Sequence, residues 1–277
     1  MRDYCQLPLF EVPAPARPGW HPASLAAGAQ VYWTTPQEID ARLDASFYVI
    51  TRRRERLLDT LRYPLTPLST WAEVNPAARR LHPERGYWLF DTCYYAEIRS
   101  VLDDCWLVGP KLPDKKVGKL SVRATYRPQP GDLLLPRVDS SLHRAVAVLS
   151  VEKPLVVSSA FALLSPHSEE HGLVLLALLH HRVLGEQLWA LASGTTVRSV
   201  AAGQVPTLQV PNLAPGMRVA IAARVRELLH AQEKAFFPER GLIMHEYWLD
   251  GTVDQWKARA RQMALDIEKM IDEALRL

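Results

Sequence analysis

Between residues 64 and 165 the apolar residues of this chain fall into short runs separated by turn-forming residues. This spacing constrains the fold more than any other feature of the sequence. Runs such as "CWLVGP", "GDLLLP", "AVAVLSV" and "PLVVSSAFALL" are bounded by Pro, Gly, Asp or Ser. Short apolar runs between turn residues are typical of β-strands. We therefore predict a β-rich, partly irregular domain with several short strands.

Helical patterns lie on both sides of this β-rich part. Thr35 before Pro36 is a helix-start signal, and "TRRRERLLDTL" at residues 51–61 has a second helical pattern. Residues 171–192 are long and apolar enough for one mostly buried helix, with Gly194 just past its end. The predicted fold class is α+β, a β-rich domain followed by long coiled-coil-like helices.

Two further segments, residues 216–236 and 254–276, place apolar residues at alternating steps of four and three. This spacing is typical of a coiled-coil seam, and two seams in tandem favour an antiparallel pair or a partner surface. Two amphipathic helices packed on their own domain would show nearly the same pattern. As assembly-interface residues we predict Ile221, Val225, Leu228, Met263, Ile267 and Met270.

Composition excludes several classes of protein. With three cysteines and no CxxC pair, a disulfide framework and a zinc site are not expected, and a reducing cytosol is favoured. No apolar run reaches transmembrane length and no secretory signal is visible, so we expect a cytoplasmic protein. The net charge is only +3, but 25 of the 33 basic residues are arginines. Arginine favours bidentate contacts to phosphates and base edges, although a GC-rich or thermophilic genome also enriches it.

The common catalytic motifs are missing from the sequence. It has no phosphate loop, no glycine-rich dinucleotide turn, no GxSxG elbow and no HExxH helix. The adjacent His180 and His181 would point about 100° apart on a helix, so they could not both face one ion. We therefore expect no catalytic residue, no metal site and no cofactor in this chain.

Two basic clusters remain as candidate binding features. The segment "KLPDKKVGKLSVRATYR", residues 111–127, has six basic residues and one acid, a local net charge of +5. The segment "TRRRER", residues 51–56, supplies a second cluster. Such clusters can neutralise phosphates and release counterions, whereas each alone is usually a solvated surface. Together they favour binding of a nucleic acid.

The segment "LWALASGTTVRSVAAGQVPTLQVP", residues 188–211, resembles the end of a target-recognition domain in specificity subunits of type I restriction-modification systems. In that family a helix, a small-residue turn, a short helix and a strand lead into a long helix. "ARLDASFY" at 41–48 looks like the family's entry motif, and "GDLLLPRV" at 131–138 like its "G-D-I-L-x-x-R" strand. The chain departs from the family at "APGMRVAIAARV", where a glutamine usually begins the helix.

The resemblance implies sequence-specific recognition of double-stranded DNA, with adenine methylation and cleavage carried out by separate methyltransferase and restriction or motor subunits in phage defence. We therefore divide the chain into three regions: an irregular Pro-rich arm over residues 1–34, which the prolines of residues 6–22 indicate, a target-recognition domain over 35–213 and a helical spacer over 214–277. One reader and one spacer make this a half-subunit, expected to pair as a homodimer or with a second specificity half-subunit. Predicted DNA contacts are Lys115, Lys116, Lys119, Arg123, Arg127 and Arg137, with Arg52, Arg53 and Arg54 contacting the DNA backbone or a partner.

Two alternatives stay open at this stage. The chain could be a non-catalytic scaffold of a defence complex that uses this fold without reading DNA sequence. It could also be an enzyme whose site is too irregular for a sequence motif. Binding that differs between specific and random duplexes would exclude the scaffold, and metal-dependent turnover by the purified chain would reveal the enzyme.

Overall fold

The computed structural model describes residues 45–81, 94–101, 105–108, 124–138, 141–142, 144–149, 154–193, 197–236 and 252–276. The chain divides into two units, Met1–Ile50 and Thr51–Leu277. Everything described below lies in the second unit, apart from the first turns of helix α1. Helices and sheets are both present, so the predicted α+β class is confirmed.

The described residues contain nine short strands. They are β1 (Leu65–Pro67), β2 (Ala72–Val74), β3 (Tyr94–Ala96), β4 (Ala124–Tyr126), β5 (Leu133–Pro136), β6 (Val146–Ala147), β7 (Leu155–Ser158), β8 (Phe161–Pro166) and β9 (Gln209–Pro211). Eight of them lie between residues 64 and 166, as the punctuated apolar runs predict. They form three sheets: β1 with β9, β2-β8-β5-β6, and β3-β7-β4. All pairs are antiparallel except β3 with β7.

The sheet β2-β8-β5-β6 lies between two hydrophobic cores, which explains why β5 has no polar face. Leu133 and Leu135 pack into the core shared with the helices, whereas Leu134, between them, packs into a second core with Val146 and Leu163. Successive side chains of a strand point to opposite faces, so a strand covered on both sides must be apolar throughout. "GDLLLP" is such a strand.

Five helices are described: α1 (Ala45–Thr60), α2 (Glu169–His180), α3 (Arg182–Leu191), α4 (Pro215–Phe236) and α5 (Thr252–Leu275). The prediction of a single helix over residues 171–192 is wrong, because helix α2 ends before His181 and a second helix, α3, begins after it. His181 has an extended backbone (φ −85°, ψ 150°), and its side chain accepts a hydrogen bond from the Val183 N–H at 3.2 Å. A capping side chain here replaces the intrahelical bonds that one continuous helix would make.

Helices α4 and α5 form as predicted, and they pack against each other and against α2. Ile221, Val225, Leu228 and Ile267 are buried, and Met263 and Met270 are half-buried against the same core. The interpretation of these six residues as an assembly interface is therefore corrected. The apolar seams of the two helices are covered within the chain itself, so they need no partner.

Between α3 and α4 the predicted turn, residues 194–196, lies outside the described residues, whereas the predicted short helix and strand follow in order. A single 3-10 helix covers Ala202–Thr207, and β9 follows and pairs with β1. The buried Gln187 of α3 fixes β9, because its amide donates to the Gln209 carbonyl at 2.8 Å and accepts from the Gln209 N–H at 2.7 Å. A side-chain amide thus pairs with the strand as a neighbouring strand would. In the described part of the chain, every helix is too short or too polar to cross a membrane.

Candidate nucleic-acid interface

For six of the nine predicted DNA-contact residues, the structure does not describe the side chain. Lys115, Lys116, Lys119 and Arg123 lie outside the described residues, and so do the side chains of Arg52 and Arg53. Their role in DNA binding stays a prediction. Arg54 is half-buried on α1, whereas Arg127 and Arg137 occupy two different environments.

Arg137 is held by backbone carbonyl groups on both sides. Its Nη1 donates to the Val200 carbonyl at 3.0 Å, and its Nη2 donates to the Ser159 carbonyl at 2.5 Å. The Arg137 carbonyl in turn accepts from the Val200 N–H at 2.9 Å. The guanidinium of Arg137 therefore fastens the end of β5 to the segment that leads to α4, and its contact with DNA stays a prediction.

Arg127 is exposed and lies directly after β4, in a group of arginines that the sequence does not reveal. Residues 79–81 run along β4: Arg80 bridges Tyr126, the Leu81 N–H donates to the Thr125 carbonyl, and the Arg127 N–H donates to the Arg79 carbonyl at 2.9 Å. Strand β7 pairs with β4 as well. The pairing thus brings Arg79 and Arg80 beside Arg127.

Sequence reasoning misses Arg79 and Arg80 because "AARR" is a short and unremarkable stretch far from Arg127 in the chain. Only the long-range pairing with β4 gives the two arginines their position. Long-range pairing of this kind has no periodic signal, and three-residue strands are too short to show alternation. The only sequence feature that could suggest the pair is its charge.

A cleft of about 480 Å³ lies beside these arginines. It is lined by Ala78, Arg79, Arg127, Pro128, Gln129, Pro130, Val148, Leu149, Pro154 and Leu155. No acidic side chain lines the cleft among the described residues, and two arginines do. We define the basic cleft as this lining together with the exposed Arg80. Residues 111–123 of the predicted basic segment 111–127 lie outside the described residues, and its last basic residue, Arg127, lines the cleft.

Beneath the basic cleft, the carboxylate of the buried Asp132 restrains Arg79. Asp132 Oδ2 lies 3.7 Å from Arg79 Nε, and its Oδ1 accepts from the Ser165 hydroxyl at 2.7 Å. Arg79 keeps about a quarter of its side chain exposed. The ion pair therefore anchors the guanidinium of Arg79 while part of the side chain stays exposed beside the cleft.

A second cavity, of about 310 Å³, lies between Trp106, the end of α2 and α5, and its chemistry differs. Arg261 and Glu268 both line it, so its charge is mixed. Trp106 stacks on His180 at 4.1 Å, and His180 Nε2 lies 2.7 Å from the Ala145 carbonyl. We assign no nucleic-acid contact to this cavity, because it lacks the concentration of arginine that marks the basic cleft.

The two adjacent histidines face different partners. His180 contacts Trp106, whereas the Nε2 of the buried His181 lies 3.1 Å from Asp272 Oδ1. Burial lowers the pKa of His181, although Asp272 and Glu268 act in the opposite direction. In the part of the chain that the structure describes, no group of three His, Cys, Asp or Glu residues could hold a metal ion.

No protein-family model and no curated protein matches the chain. Among solved structures it is similar to the crystal structure of the HsdS subunit from Thermoanaerobacter tengcongensis, at 16% identity and a TM-score of 0.45, with 62% of this chain and 44% of that chain covered. A structure of the type I R-M system matches at 13% identity and a TM-score of 0.40, covering 87% and 60%.

The type IIG restriction endonuclease BpuSI matches at 15% identity and a TM-score of 0.30, with 54% of this chain and 17% of that chain covered. The chain thus spans less than two thirds of each of the three solved chains. Two of these structures are thus described as an HsdS subunit and as a type I R-M system, the class of protein that the sequence motifs of this chain resemble.

Proposed function

We propose that this chain is the sequence-specific double-stranded DNA recognition subunit of a restriction-modification or related phage-defence complex. It directs a separate methyltransferase and, with it, a restriction or motor subunit. The observation that carries the proposal is the basic cleft, in which Arg79, Arg80 and Arg127 come together from two distant segments of the chain. The ordered sequence motifs over residues 41–48, 131–138 and 188–211 support it.

Arginine is suited to this role for two chemical reasons. Its planar guanidinium binds phosphate oxygens through paired hydrogen bonds, and it stays charged at every physiological pH. The same fork matches the O6 and N7 acceptors of guanine in the major groove. A cleft lined by arginines can therefore supply both the phosphate contacts that set affinity and the base contacts that set specificity.

Catalysis belongs to partner subunits in this proposal. The chain supplies DNA recognition, and the methyltransferase supplies the methyl-donor site that the sequence motifs of this chain do not provide. We further propose that the chain pairs, as a homodimer or with a second specificity half-subunit. The surface for pairing must lie outside the buried seams of α4 and α5, because those are covered within the chain.

Duplex binding measured as a function of salt tests the proposal. Replacing Arg79, Arg80 and Arg127 by alanine should weaken binding, and it should flatten the slope of log affinity against log salt by about 0.9 for each phosphate that the variant no longer neutralises. The same assay tests the predicted cluster Lys115, Lys116 and Lys119, whose triple alanine variant should change the slope in the same direction. Phosphate binding releases counterions, so both affinity and slope must move together.

A matched control removes three positive charges from elsewhere. Arg224 and Lys234 of α4 and Lys269 of α5 are exposed and lie outside the basic cleft, and their triple alanine variant has the same net charge as the cleft variant. It should bind DNA nearly as well as the unaltered chain. Equal affinity and slope for the cleft variant and this control would refute the proposed interface. Equal binding of the chain to all duplex sequences would instead favour the scaffold alternative.

A further inference from the structure

The loop from Arg127 to Asp132, between β4 and β5, has its backbone fixed by its own hydrogen bonds. The Gln129 N–H donates to Asp132 Oδ2 at 2.7 Å, and the Asp132 N–H donates to the Gln129 carbonyl at 3.0 Å. The Gly131 N–H donates to the Val148 carbonyl at 3.0 Å, and Gly131 has a φ of 89°, which favours glycine. Prolines 128 and 130 fix φ on both sides of Gln129.

Asp132 is the residue that holds this loop to the rest of the site. The residue is 5% exposed, and its carboxylate contacts the Gln129 N–H, the Ser165 hydroxyl of β8 and, at 3.7 Å, the guanidinium of Arg79. One buried carboxylate thus joins the loop, a central strand and one arginine of the basic cleft. The loop and Arg79 are therefore positioned together before any ligand binds.

Two side chains of the loop emerge on the same side. Arg127 and Gln129 are exposed, whereas Pro128 between them is buried, which is the alternation of an extended backbone. Both Arg127 and Gln129 line the basic cleft. Within the described part of the chain, no residue hydrogen-bonds the side-chain amide of Gln129. A rigid loop thus presents a cation and a neutral amide, side by side, to the same ligand.

We propose that Gln129 is a specificity-determining residue that reads the edge of an adenine, while Arg127 and Arg79 bind the neighbouring phosphates; this assignment rests on the proposed function. An amide offers one acceptor and two donors, a match for adenine N6 and N7 in the major groove. Being neutral, it adds little to binding of random DNA, whose affinity comes from phosphate contacts. Asp132 is a positioning residue, because it acts through Gln129 and Arg79.

Binding selection from randomised duplexes, carried out with the full chain, tests this assignment. The unaltered chain should enrich a defined sequence with adenine at one position that Gln129→Leu no longer discriminates, a loss of about tenfold at that position. Affinity for random duplex should change little, because no charge is removed. Gln129→Glu should move the preference at the same position towards cytosine, whose N4 donates to a carboxylate. Gln255→Leu, at an exposed position of α5, is the matched control.

The outcomes separate this inference from the proposed function. If Gln129→Leu and Gln129→Glu select the same sequence as the unaltered chain with the same discrimination at every position, Gln129 does not read a base and the inference falls alone. If the unaltered chain enriches no sequence, both the proposed function and the role of Gln129 are refuted. A general loss of binding by Gln129→Leu, equal at all positions, would also contradict a reading role. Matching thermal unfolding of the variants and the unaltered chain shows that the fold is retained.

Discussion

His181 shows how one polar side chain can redirect a segment whose pattern predicts a single helix. It is 1% exposed, and its Nδ1 accepts from the N–H of Val183 while its Nε2 lies 3.1 Å from Asp272 of α5. A histidine in an apolar stretch gives no sequence signal of a break. The same limit applies to Asp132 and Gln187, since the hydrogen bonds that each makes are visible only once the partners are in place.

The ring of His181 must stay neutral for both of its hydrogen bonds to persist, because Nδ1 accepts a bond and cannot carry a proton. Burial lowers the pKa of His181 from 6.5. Arg182, whose guanidinium shares Asp272 Oδ1, lowers this pKa as well, while Asp272 and Glu268 raise it. The unfolded chain therefore binds a proton at a higher pH than the folded chain does, and stability rises with pH in that window.

From this we predict that the contribution of His181 to stability is complete above pH 6.5 and declines as the pH falls below 6.5 towards the lowered pKa. Thermal unfolding of the unaltered chain and of His181→Gln, measured across this range, checks it: the difference between the two should shrink as the solution is acidified. His230→Gln, at an exposed position of α4, serves as the control. A difference between His181→Gln and the unaltered chain that stays constant with pH would contradict the argument.

The local hydrophobic pattern of the sequence predicts which helices and strands form better than it predicts which of them pack or pair with one another. The period of α4 and α5 and the short runs of the β-rich part are both visible in the sequence, and the structure contains those elements. The sequence pattern cannot tell whether the apolar seams of α4 and α5 pack within one chain or between chains, because a heptad pattern fits either neighbour. This is why the seam residues are predicted to contact a partner. The basic cleft is only half predictable: Arg127 follows from the charged segment, but Arg79 and Arg80 depend on a long-range pairing.

For α5 the structure predicts opposite outcomes at two nearby positions. Ile267 is 1% exposed and belongs to the core shared with α2, whereas Leu265 is 57% exposed. Ile267→Asp should lower the free energy of unfolding of the whole unit by at least about 3 kcal/mol, because it removes apolar packing and buries a charge. Leu265→Asp should change it by less than about 0.5 kcal/mol, as is usual for surface substitutions.

Denaturant unfolding of both variants measures these changes directly. A stable, folded Ile267→Asp protein that merely fails to form an oligomer would show instead that the seam is an interface between chains. If Leu265→Asp keeps its stability but no longer binds a partner subunit, the outer face of α5 is the assembly surface.

For the whole molecule, we propose that this chain selects the DNA sequence and that a separate subunit modifies it. The division into an arm over residues 1–34, a reader over 35–213 and a spacer over 214–277 remains part of this proposal. Helices α4 and α5 nevertheless share one core with α2, so the spacer is continuous with the reader in packing. Pairing by two-fold symmetry would present two identical readers in opposite orientation, and the DNA target would mirror that symmetry.

Mapping methylation on DNA of known sequence, with the methyltransferase partner present or absent, tests this claim most directly. We predict no methylation by the pure chain with S-adenosylmethionine, and methylation at one defined sequence when chain and methyltransferase are combined. That sequence should be an inverted repeat with a fixed gap, and the alanine variant of Arg79, Arg80 and Arg127 should abolish its selection. Methylation by the pure chain, or an identical map from the methyltransferase without it, would show that this chain does not select the methylated sequence for a separate subunit.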